Sequence, residues 1–241
     1  MRLDEAVFWE RLAHSRRAPL EPNWLEETYS PSLSIELRRA LCEKLGMLAE
    51  QGWPVIDQLA QRHGIQPDLV MAAGLCHQTE ARDWLLTLLE HTADNAEINL
   101  CVVEALGCWG AEVPEDVVIG CLQHPSQNQR LAGLQLLNFR AHCLDDAKLL
   151  NLCQDALNDF RDPIVVAAIR VLQRRDGDAI SARLAELCRT GSMAGADAAL
   201  RALGCIATPT SQRHLLELSQ SLVDEDRRQK ACRELKQQFR H

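Results

Sequence analysis

An all-α superhelix of about six stacked helical hairpins, with capping helices at its ends, is the fold this sequence predicts. Three observations carry the prediction. Leu and Ala dominate a chain that is 46% apolar, 25% charged and only 4% aromatic, a composition that favours helices over strands. Apolar and small residues recur at i, i+3 and i+4, the buried stripe of a helix. That stripe itself recurs about every 31 residues along the chain, and self-similarity at such a period marks a repeat architecture.

The repeat is read from columns. A Leu recurs at Leu45, Leu75, Leu106, Leu137, Leu172, Leu203 and Leu235. Three residues earlier stand Cys42, Ala72, Val103, Leu134, Ile169, Leu200 and Cys232, all apolar. Four residues earlier stand Leu41, Met71, Val102, Gly133, Ala168, Ala199 and Ala231, all apolar or small. A second Leu-rich run follows most first helices, as at 79–93, 146–157, 179–189 and 211–223. One hairpin cannot cover its own apolar face, so neighbours must stack to share a core. Pro54, Pro114, Asp162-Pro163 and Thr208-Pro209 read as helix starts. Gly46, Gly107 and Gly204 follow the marker Leu and fit close helix approach or a helix end. The 35-residue step from Leu137 to Leu172 marks one irregular unit, lengthened around Arg140–Asp146.

The ends depart from the repeat. Residues 1–32 are expected to be a capping helix with Leu3, Ala6, Val7 and Leu12 on one side, followed by a connector containing Pro19, Pro22 and Pro31. Residues 33–241 form the repeat region. The last helix, within 227–239, carries Arg227, Arg228, Lys230, Arg233 and Lys236, with Arg240 just beyond. A terminal repeat needs a polar outer face. The same charges would also suit an acidic partner.

The unit AGADAALRALGCIATPTSQRHLLELSQSLVD (194–224) resembles the HEAT-like repeat named after phycobilisome lyases: an Ala/Leu-rich first helix ending in Leu-Gly, a Pro-containing turn and a Leu-rich second helix. Units at 98–122 and 67–93 match less well, and 33–63 and 128–157 match in periodicity alone. The resemblance implies a HEAT-like solenoid. Such repeats occur in bilin lyases, phycobilisome-degradation factors, metal-dependent hydroxylases and scaffolds. The hydroxylases carry His-Glu pairs as iron ligands. This chain has no His-Glu dipeptide, only the reversed Glu90-His91.

Chemistry-bearing residues do not converge. There is no Cys-x-x-Cys, and no cysteine pair has a second close pair to complete a tetrahedral site. Cys42 and Cys232 share one repeat column and Cys108 and Cys205 another, which suggests small core residues. The histidines are scattered singly, among them His77, His91 and His124. No catalytic residue, metal site or cofactor is therefore expected. The net charge of −8 argues against nucleic acid, which asks for a broad basic face. No run of about 18 apolar residues suggests a membrane span. The N-terminus lacks the apolar core of a signal peptide, so the ten cysteines are expected reduced, in the cytoplasm.

The tryptophans suggest a site. All five (Trp9, Trp24, Trp53, Trp84 and Trp109) lie in the first half. Trp53 and Trp84 are one repeat apart, both early in second helices, which in solenoids of this kind usually line the concave face. Asp57, Arg82 and Asp83 stand beside them. An aromatic pair there could fill gaps between hairpins or anchor a partner protein. The expected function is a non-enzymatic interaction scaffold binding another protein on its concave face. The alternative implied by the resemblance is a bilin lyase-like chaperone, or a factor in phycobilisome assembly or turnover. It would bind a phycobiliprotein or a linear tetrapyrrole, with a carboxylate facing pyrrole nitrogens and an Arg facing propionates.

Overall fold

Fifteen α-helices and four short 3-10 turns make up the computed structural model, which describes residues 5–16, 18 and 20–239. Leu3, Pro19, Arg240 and His241 lie outside the described residues. The chain divides into two units, 1–113 and 114–241, in each of which first and second helices alternate as helical hairpins.

In the first unit, α1 (Glu5–Ala13) and α2 (Pro22–Thr28) precede the repeats. First helices α3 (Ile35–Met47), α5 (Pro67–Cys76) and α7 (Ala96–Leu106) stack in order. Second helices α4 (Trp53–His63) and α6 (Thr79–His91) pack beside them. A 3-10 turn over Gly107–Glu112 ends the unit. The second unit opens with α8 (Glu115–Gln123). Its first helices α9 (Gln127–Arg140), α11 (Asp162–Leu172), α13 (Met193–Ile206) and α15 (Glu225–Gln237) stack on one another. Second helices α10 (Asp146–Leu157), α12 (Asp178–Thr190) and α14 (Pro209–Ser221) form a parallel row.

Capping residues set the helix starts. Ser34, Asn95, Asp145, Ser192, Thr208 and Asp224 each accept a hydrogen bond from a backbone N–H in the first turn, satisfying one of the donors a helix leaves open. Thr208-Pro209 caps as expected, with Pro in the first turn. Asp162 sits one residue inside its helix, where its carboxylate accepts from the Ser192 hydroxyl at 2.5 Å. Pro114 sits at the N-cap of α8, just outside it.

The marker column holds at five positions, slips by one residue at another and is only half-buried at Leu235. Leu45, Leu106, Leu137, Leu172 and Leu203 are fully buried, but Leu75 is 44% exposed. Its place is taken by Cys76, at 1%. Residue identity points to the Leu, but a cysteine is small and apolar enough to fill the column. The N-terminal region also differs from expectation. Val7 is 61% exposed, and α1 instead covers Leu12 and sets the edge of Phe8 on Trp24, with ring centroids 6.5 Å apart. The expected connector contains a helix, α2, opened by Pro22.

The cysteines divide. Cys42, Cys76, Cys121, Cys153 and Cys188 are buried, and burial pushes the thiols of Cys153 and Cys188 up to about 12. Cys108 and Cys205 share a column as expected, but both are exposed, as is Cys143. Cys108 and Cys205 lie two residues past the marker Leu, Cys205 in the last turn of α13 and Cys108 in the 3-10 turn after α7. With a colorimetric thiol reagent, Cys108, Cys143 and Cys205 should react at once. The five buried thiols should react only on unfolding, and fast labelling of all ten in native buffer would contradict this packing.

In the irregular unit, α9 runs on through a 3-10 turn at Ala141–Cys143 before α10 begins at Asp146, as the 35-residue step suggests. Arginines not anticipated from the sequence tie successive repeats together. Arg175 donates to the Ala141 and Leu144 carbonyls at 2.8 and 2.9 Å and pairs with Asp146. Arg161 donates to Pro125 O at 3.1 Å, and Arg227 donates to Cys188 O and Gly191 O. Hydrogen bonding from Arg161, with Arg130 at 2.5 Å, holds the Asp159 carboxyl down at about 2.

Candidate functional site

Trp53 is the first residue of α4, placed there by the turn at Gly52 and the Pro54 that follows it. A Cβ at Gly52 would fall on the Leu45 carbonyl, so the chain can pass this close to α3 only with glycine there. Trp84 lies mid-way along α6, one residue before the fully buried Leu85. The two indoles meet edge-to-face, with centroids 5.7 Å apart and planes at 62°, a favourable arrangement of ring quadrupoles. Each indole is only partly covered.

Charged residues flank the two tryptophans along α4 and α6. Asp57, one turn after Trp53, accepts a hydrogen bond from Gln61 Nε2 at 2.8 Å. Arg82 has two carboxylates upon it: Asp83 at 3.4 Å, adjacent on α6, and Glu112 at 3.7 Å, from the 3-10 turn after α7. Asp83 is exposed. Asp57 lies on the same face of α4 as Trp53, one turn on, whereas Arg82 and Asp83, two and one residues before Trp84, point away from it around α6. The ring faces and Asp57 would both attract a cation carried on an apolar or aromatic group.

The other tryptophans are engaged elsewhere. Trp109 is 5% exposed and stacked under His77, with ring centroids 5.2 Å apart and planes at 26°. His77 ends α5 in the left-handed conformation, at φ 53°. Arg11 lies over the Trp24 ring, and Trp9 is 42% exposed on α1.

Sequence reasoning missed a buried polar cluster in the same unit. The Asp68 carboxylate, 7% exposed in the first turn of α5, accepts from the Tyr29 hydroxyl at 2.8 Å. Arg38 lies 3.6 Å away, and Cys42 Sγ is also at 3.6 Å. Burial and the Asp68 charge push the Tyr29 phenol and the Cys42 thiol far above their ordinary ranges. Neither the phenol nor the thiol is then ionised near neutrality. Tyr29 and Asp68 are 39 residues apart, and no spacing rule links them.

Among the described residues, no three His, Cys, Asp or Glu side chains gather to hold a metal ion. His124 Nδ1 accepts from the Ser126 N–H at 3.1 Å. Nor is any helix among the described residues long and apolar enough to cross a membrane.

No known protein-family model matches the chain, and no curated protein matches it. Among solved structures it is similar to human deoxyhypusine hydroxylase, determined in complex with glycerol. The likeness has 15% identity and a TM-score of 0.45, and covers 100% of this chain and 92% of that one.

Proposed function

We propose that the chain is a non-enzymatic interaction scaffold that binds a partner protein through the second helices of its first unit. The contact between Trp53 and Trp84 carries this reading. Two large, part-covered indoles from successive repeats form a rigid apolar anchor, and aromatic residues in such positions dominate binding energy at protein interfaces. Asp57, one turn after Trp53 on the same face of α4, favours a partner that presents a basic residue beside an apolar one. We place the chain in the cytoplasm.

The test compares the natural chain with Trp53→Ala and Trp84→Ala as baits in extracts of the source organism. A partner held by the natural chain and lost, by about tenfold or more, from both variants supports the proposal. Undiminished capture by both would overturn it. The alternative, a bilin-handling protein, draws on the same residues and on the type of repeat. Arg82 would have to exchange Glu112 for a bilin propionate. Titration with phycocyanobilin separates the readings: a shifted and intensified absorbance band favours the bilin, and an unchanged spectrum removes it.

A further inference from the structure

The second unit carries an arginine column that the packing leaves without counter-charges. Arg170 on α11, Arg201 on α13 and Arg233 on α15 stand 31 and 32 residues apart, each two residues before the marker Leu. Successive first helices lie side by side in register. Asp162 meets Ser192 between α11 and α13, and Asp197 meets Lys230 between α13 and α15. The three arginines are therefore adjacent on one surface, and all three are exposed.

None of them makes an ion pair among the described residues. Asp197 is occupied by both contacts of Lys230, at 2.7 and 2.9 Å, and Arg201 Nε donates to the Asp197 backbone carbonyl. Glu234 lies against Gly204. In the last helix, Arg227 is committed to backbone carbonyls and Arg228 to Glu225, which leaves Arg233 and Lys236 exposed.

The column begins at a cleft. Between α9 and α11 a depression of about 290 Å³ is lined by Gln135, Asn138, Arg170, Gln173 and Arg174 over an apolar floor. Two guanidiniums and three amides face it, and no carboxylate does. The basic character is not a default of the repeat position, because the first unit has the exposed Glu43 and Glu104 there. Charge is divided accordingly: nine Lys and Arg against eighteen Asp and Glu in residues 1–113, seventeen against sixteen in 114–241.

We infer that this face binds an extended acidic peptide segment of a protein partner, with carboxylates on Arg170, Arg201 and Arg233 and one end of the segment in the cleft. Stacked helices stand roughly 8–10 Å apart. An extended left-handed chain covers about 9 Å in three residues. Carboxylates at every third position would then meet successive arginines. This surface differs from the tryptophan pair, and either can fail without the other.

The test is fluorescence anisotropy of the full chain with a labelled peptide that alternates one Glu with two Pro. Expected are binding that weakens steeply between about 50 and about 200 mM salt, no binding of the matching Lys peptide, and a loss of about tenfold or more in the triple variant Arg170→Glu, Arg201→Glu, Arg233→Glu. Circular dichroism confirms its fold. Should that variant not fold, the triple Arg→Gln form must still lose several-fold. Unchanged affinity in the folded variant overturns the inference, as does capture of a single-stranded oligoribonucleotide in preference to the peptide. Trp53→Ala with Trp84→Ala should leave peptide affinity intact, and its loss there would overturn the assignment to this column.

Discussion

Asp68→Ala is expected to lower the unfolding free energy by about 3 kcal/mol, the scale for breaking a buried charged hydrogen-bond set. The carboxylate is 7% exposed and serves the Tyr29 hydroxyl and Arg38 at once. Arg38 is already short of partners, because its buried Nε has none. Removing Asp68 would leave a phenol and a guanidinium under-satisfied where water reaches poorly. Tyr29→Phe removes one hydrogen bond and is expected to cost about 1 kcal/mol. The double variant should cost less than the sum of the two. Urea melts followed by circular dichroism measure all three. A loss below about 0.5 kcal/mol for Asp68→Ala, typical of surface sites, would mean that the cluster is solvated.

Gly74→Val is expected to be damaging for a different reason. A Cβ at Gly74 would lie 2.7 Å from the Ala105 carbonyl oxygen and 3.0 Å from its Cα. Both are backbone atoms of a packed helix and cannot swing aside. Helices α5 and α7 would have to part along the line where Leu69, Val102 and Leu106 are fully buried, and overpacking of this kind costs about 1–3 kcal/mol. We expect a value at the upper end. Gly120, inside α8, has nothing within 4 Å of its would-be Cβ. There Gly→Ala should stabilise by up to about 1 kcal/mol through helix propensity alone. Thermal melts of the two variants should move in opposite directions; a fall at both positions would refute the distinction.

What the sequence reveals here depends on whether a contact obeys the repeat. Trp53 and Trp84 are one period apart, and the structure brings them to 5.7 Å. The same reasoning located the lengthened unit after Leu137. It slipped at α5, where Cys76 rather than Leu75 fills the column, because the column selects for volume and apolarity and not for one residue type. It misassigned Cys108 and Cys205, since sharing a column shows equivalence without showing which way the column points. Tyr29 with Asp68 was out of reach because the contact joins a non-repeating segment to a repeat. Arg82 with Glu112 joins α6 to a 3-10 turn, and no period connects those positions.

The arginines that reach back to earlier carbonyls bear on how the chain can be made. Arg161 completes Pro125, Arg175 completes Ala141 and Leu144, and Arg227 completes Cys188 and Gly191. The partners are 31 to 39 residues apart, and the later residue is always the donor. During synthesis, a hairpin of the second unit leaves the ribosome with these carbonyls still open, and it locks only when the following hairpin has emerged. A chain arrested at a hairpin boundary should therefore be more protease-sensitive in its last hairpin than one arrested a single repeat later.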